Sequence, residues 1–96
     1  MANYGYLLTD EGEVQVFSTN IRKIIRAMFA RLEEETLQHY TKEDIKNAIE
    51  YAEMVSEETD WFILDEDTLN EYREECGLTE WKVNCNGYII VKCERI

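Results

Sequence analysis

The chain has one histidine, His39, and three cysteines, Cys76, Cys85 and Cys93. Together they number four soft or borderline ligands, the count that a tetrahedral zinc site takes. Their spacing matches no knuckle or ribbon, and no CxxC pair is present. Each cysteine falls within an apolar pattern, so all three are expected to be reduced, metal-free core thiols. An odd number of thiols with no disulfide framework suits a reducing cytosol. A serine or cysteine nucleophile would have to use His39 as its base. The surrounding EETLQHYTK offers no such arrangement, and an exposed or helix-end, non-catalytic histidine is expected. Asp65-Glu66-Asp67 starts like a calcium loop but lacks the glycine and the closing glutamate at the required spacing. With 21 acids in 96 residues, carboxylate pairs arise by chance and do not identify an acid and base. The chain is expected to be non-enzymatic, without cofactor or metal.

Chemistry of another kind resides in the acids themselves. Between Glu53 and Glu75 there are ten acidic side chains and one basic one, Arg73. This stretch carries most of a net charge of −11. Such a field reaches about 8 Å in physiological salt. It repels nucleic acid and anionic membrane and attracts basic surfaces. Carboxylates three or four residues apart on a helix lie about 5–6 Å from one another, a spacing comparable to successive phosphates along a nucleic-acid strand. The candidate protein-binding set is Glu50, Glu53, Glu57, Glu58, Asp60, Asp65, Glu66, Asp67, Glu71, Glu74 and Glu75. The competing reading of these acids is a solvated face that confers solubility.

The elements that must position them follow from period and punctuation. Asn3 to Ser18 reads as a hairpin turning at Asp10-Glu11-Gly12, with Leu8 opposite Val14 and Tyr6 opposite Val16. Gly5 is expected to relieve crowding against an aromatic on the partner strand. Ile21, Ile24, Ile25, Met28, Phe29 and Leu32 then recur at helical spacing. Ser18, Thr19 or Asn20 supplies the cap, and the helix runs to about Glu35 or Gln38. Its basic residues come first and its glutamates last, against the helix dipole, so these charges answer to something other than helix stability. Thr41 to Asp44 is an approximate capping box. It opens a second helix with Ile45, Ala48, Ile49, Ala52 and Val55 inward, ending near Glu58.

Trp61 to Leu64 reads as a buried strand in the middle of the sheet. Asp65 or Asp67 caps a third helix with Leu69, Tyr72 and Cys76 inward. Gly77 closes it, with Leu78 in hydrophobic contact. A second hairpin from Trp81 to Cys93 turns at Asn86-Gly87, pairing Val83 with Ile89 and Trp81 with Val91. The expected fold is a single α+β domain over residues 1–96, in the order ββααβαββ. Its sheet has about five mainly antiparallel strands, with helices on one face. MANYGYLLTD has neither the charged nor the apolar region of a signal peptide, and no apolar run approaches the roughly 20 residues of a membrane span. A cytoplasmic location is expected.

In being short, acidic, proline-free and without a catalytic motif, the chain resembles the small inhibitors that phages and mobile elements encode against host nucleases and CRISPR systems. That resemblance implies a viral, anti-CRISPR or anti-nuclease inhibitor that mimics DNA or RNA on a basic, nucleic-acid-handling protein, without binding nucleic acid itself. The alternative is a small regulatory or assembly module. It would bind a protein partner, or itself as a homodimer, through apolar surface such as Tyr40 and Phe17 or through a free sheet edge.

Overall fold

The computed structural model describes residues 4–77 and 83–94. Its elements are β1 (Tyr4–Asp10), β2 (Glu13–Ser18), α1 (Ile21–Thr36), α2 (Lys42–Glu58), β3 (Ile63–Leu64), α3 (Glu66–Glu75) and β4 (Tyr88–Glu94). The four strands form one antiparallel sheet in the order β2-β1-β4-β3. The described residues therefore form a single α+β unit with three helices.

Local chemistry sets the helix boundaries. Asn20 caps α1, its side chain accepting from the Arg22 N–H at 2.9 Å. Thr41 and Asp44 complete a reciprocal capping box on α2, at 3.1 and 2.9 Å. Asp65 caps α3 by accepting from the Thr68 N–H and hydroxyl, at 2.9 and 2.8 Å. Each cap satisfies donors that a helix start leaves without an intrahelical partner. The apolar stripes then meet. Ile24, Ile25, Met28 and Leu32 of α1 are fully buried with Ala48 and Ala52 of α2 and with Leu8, Leu64 and Ile90 of the sheet.

The glutamates of α1 that oppose its dipole serve tertiary contacts. Glu35 accepts from the Tyr88 hydroxyl at 2.7 Å and from the Asn86 amide at 3.1 Å. Glu33 accepts from the Tyr40 N–H at 3.2 Å. At the other end, Arg22 reaches Glu53 of α2 at 2.8 Å.

The sheet departs from the sequence reading in three places. The first turn has two residues, Glu11 and Gly12, both with positive φ (51° and 89°), matching the strand twist as a type I′ turn does. Gln15 is an extra residue on β2. Thr9 therefore faces Val14, and Leu8 faces Val16, so Val14 turns to the outer face. Second, Trp61 to Leu64 is no central strand. Only Ile63 and Leu64 pair, with β4, at the edge of the sheet, and Trp61 is 66% exposed.

Third, residues 83–85 are outside the sheet, which among the described residues has four strands and not five. The Asn70 amide takes both backbone groups of Val83, at 2.9 and 3.0 Å, so they are unavailable to Ile89. The Asn86-Gly87 turn itself forms, closed by Tyr88 N–H to Cys85 C=O at 2.8 Å. Trp81, with its expected pairing, and Leu78 lie outside the described residues. Gly5 behaves as expected: a Cβ there would collide with the Phe17 ring.

The register assigns each sheet residue a face. Tyr6, Leu8, Leu64, Tyr88, Ile90 and Lys92 point to the helices and are buried. The outer face carries Gly5, Leu7 and Thr9 of β1, Val14 and Phe17 of β2, Ile89, Val91 and Cys93 of β4, and Ile63 of β3. None of these is charged.

Lys92 is a buried charge on the inner face, only 4% exposed. Its Nζ donates to the Ser56 carbonyl at 2.7 Å and to the Thr59 carbonyl at 2.5 Å, and lies 4.0 Å from the centroid of the Tyr4 ring. Its backbone N–H donates to the Phe62 carbonyl at 3.2 Å. Tyr6 and Ser56 share a hydroxyl–hydroxyl hydrogen bond beside it. Replacing Lys92 with Met keeps the apolar stem and leaves two carbonyls unmet. Ser56 is half-buried and Thr59 exposed, so water can meet the second carbonyl, and an unsatisfied buried acceptor costs about 1–3 kcal/mol. Lys92→Met is therefore expected to lower unfolding free energy by about 1–3 kcal/mol in a urea titration. An unchanged midpoint would show that water replaces the ammonium without loss.

Candidate acidic interface

The acids lie on α2, on the connection after it and on α3. Tyr51 of α2 stacks on Tyr72 of α3, with ring centroids 4.5 Å apart and planes inclined by 24°. Glu50 of α2 and Glu71 and Glu75 of α3 gather around this stack. Burial pushes the Tyr51 hydroxyl above its ordinary pKa, and Glu75, Glu71 and Asp65 add to the shift. The Tyr72 hydroxyl is raised first by its hydrogen bond with Cys76, then by burial, with Glu50 and Glu75 contributing. Carboxylates far apart in sequence thus act on the same two rings.

The eleven candidate residues divide by environment. Glu50, Glu57, Glu58, Asp60, Asp67, Glu71, Glu74 and Glu75 are exposed. Glu53, Asp65 and Glu66 are half-buried. Glu53 is engaged by Arg22, and Asp65 is the α3 cap, so both carry structural duties. Asp60 accepts from the Tyr4 hydroxyl at 3.4 Å. Glu50 stands 4.0 Å from Lys46, an exposed pair of little energetic weight. Arg73, the only base between Glu53 and Glu75, is buried to 8% exposure, with Nη2 3.6 Å from Glu74. Its withdrawal leaves that stretch presenting carboxylates to solvent.

A cationic counterpart escaped the sequence reading. Arg22 and Arg26 of α1 and Lys42 and Lys46 of α2 line a groove of about 480 Å³, together with Ile45, Ile49, Glu50 and Glu53. The two i, i+4 basic pairs were the available signal. Glu50 and Glu53 mark the border between this groove and the acidic region.

The soft residues are scattered. Cys76 is exposed instead of inward, because the third helix ends on it and Gly77 turns the chain at φ 75°. Cys85 is buried in the 83–85 segment and not on a strand, and Cys93 is half-buried on β4. His39 is exposed. No three His, Cys, Asp or Glu side chains are grouped to hold a metal ion among the described residues. Tyr40, expected on the surface, is 3% exposed and packs edge-on against Phe29 at 4.9 Å. Phe17 is exposed as expected. No described helix is long and apolar enough to cross a membrane. Compared with protein-family models, curated proteins and solved structures, the chain has no significant match.

Burial raises the Cys85 thiol from an ordinary value of 9.0 to about 12, with Glu66 and Asp65 adding to the shift. Between these values the unfolded chain loses a proton that the native chain keeps. Stability from this group is therefore complete below pH 9 and falls as pH rises towards 12. Thermal melts between about pH 8.5 and 9.5, where tyrosines of ordinary pKa are still mostly protonated, should show a decline that Cys85→Ala flattens. An equally steep decline in the variant would assign it to other groups.

Proposed function

We propose that this protein is a non-enzymatic, protein-binding inhibitor. Its acidic surface occupies the basic cleft of a nucleic-acid-handling protein and excludes the nucleic acid from it. The observation that carries this reading is the Tyr51–Tyr72 stack, which packs α2 on α3 with Glu50, Glu71 and Glu75 about it, together with Arg73 turned inward. A surface serving solubility alone gains from interspersed charges of both signs. Here the stretch from Glu53 to Glu75 turns one sign to solvent, on helices whose caps and shared stack fix them relative to each other. A fixed array meets Arg and Lys side chains with less ordering cost than a flexible acidic tail. The basic contacts it would use are those that otherwise hold phosphates.

Exposed ion pairs contribute about 0.2–1 kcal/mol each, so single substitutions should matter little. The informative variant reverses Glu57, Glu58, Glu71 and Glu75 together to Lys. All four are exposed and none caps a helix. Asp65 is excluded, since Asp65→Lys would remove the α3 cap and confuse binding with folding. Partners are to be captured on the wild-type protein from a cell lysate and released with a salt gradient. The captured partner should then be titrated with both forms. The expected result is a loss of affinity of at least 100-fold, no change in melting behaviour, and competition with duplex DNA or RNA. A partner held equally by the quadruple variant, and undisturbed by about half-molar salt, would refute charge mimicry.

A further inference from the structure

We propose that the outer face of the sheet is a dimer interface, and that its occupant is the same face of a second copy of this chain. The register lays Phe17, Leu7, Val91 and Ile63 in one cross-strand row, one residue from each of the four strands. Phe17 and Ile63, at its ends, are 50% and 44% exposed. A sheet with one solvated face normally places polar side chains there. The described residues of this face include no charged one, in a chain of which 32% is charged. A contiguous apolar patch of this kind marks an interaction surface.

Charge identifies the occupant. A partner bringing charged side chains would bury them opposite a face with no counter-charge, which is costly. The surface on hand that is equally uncharged is this face itself. The acids lie on the helical side: α2 docks on the inner face through Ser56 and Lys92, and α3 packs against α2 through the tyrosine stack. Two copies meeting sheet to sheet keep that charge on the outside of the pair. The Phe17 ring occupies the space above Gly5, which helps to level the face for a second sheet about 10 Å away. The pair closes by a two-fold axis lying in the plane between the sheets.

This inference is independent of the acidic-inhibitor reading, and salt separates the two. Salt screens the repulsion between two copies carrying −11 each, so self-association should hold or tighten where charge-driven binding weakens. The test is sedimentation velocity of the full chain across a concentration series, in low and about half-molar salt. The expected midpoint is on the order of 10 µM, since the face falls short of the roughly 20–30 residues of a standard interface. Phe17→Ser combined with Ile63→Thr changes two exposed positions and should weaken association at least tenfold, with a native circular-dichroism melt. A second measurement needs no variant. In wild-type protein mixed from labelled and unlabelled copies, intermolecular methyl NOEs should connect Leu7, Ile63 and Val91. A monomer at every concentration would overturn the proposal. So would a dimer indifferent to the double substitution, or intermolecular NOEs confined to the β2 edge.

Discussion

The structure depends on one buried cation. α2 has no basic residue in its last turn and ends on Glu57-Glu58, charges of the sign that its dipole disfavours there. The missing positive charge comes from the middle of the sheet, where Lys92 of β4 donates to the Ser56 and Thr59 carbonyls beneath the Tyr4 ring. An ammonium has three donors, and two carbonyls and an aromatic face meet them. The helix end that carries the acids is thereby fastened to the strand with neighbours on both sides. Without that contact, the acidic connection from Glu57 to Asp60 would have few ties to the core.

The same economy recurs in the placement of charge. Basic residues that could neutralise the acidic stretch are withdrawn or held at its border: Arg73 inside, Lys92 under the helix end, and Arg22 on Glu53 at the α1–α2 seam. Glutamates that burden α1 hold Tyr40, Asn86 and Tyr88. The surface charge is thus the residue of structural assignments made within the fold.

What could be read from the sequence was local. Asn20, the Thr41–Asp44 box, the isoleucine stripe of α1 and the Asn86-Gly87 turn each act within a few residues, and the structure has all of them. What could not be read depended on distant partners. The Gln15 bulge reverses Val14 without any local signature. The Asn70 side chain removes Val83 from the sheet across 13 positions. Trp61 to Leu64 is apolar enough for a central strand, yet only β4 is beside it. For the candidate interface, composition located the acids. The meeting of Tyr51 with Tyr72 and the burial of Arg73 required the packing of α2 on α3.

The position of β4 has a consequence for how the molecule is made. β4 lies between β1 and β3 but follows both in the chain. During synthesis the first hairpin and the helical pair can form from local contacts as they emerge. β3 has no strand to pair with, and β1 keeps a bare edge, until β4 arrives and fills the gap. Lys92 arrives with it, so the end of α2 waits as well. Joining distant segments is slow because the loop must close before the contact rewards it, and open strand edges invite misassembly in the interval. Commitment of the native sheet is therefore a late, single insertion, and before it the nascent chain is a hairpin and three helices without a closed core.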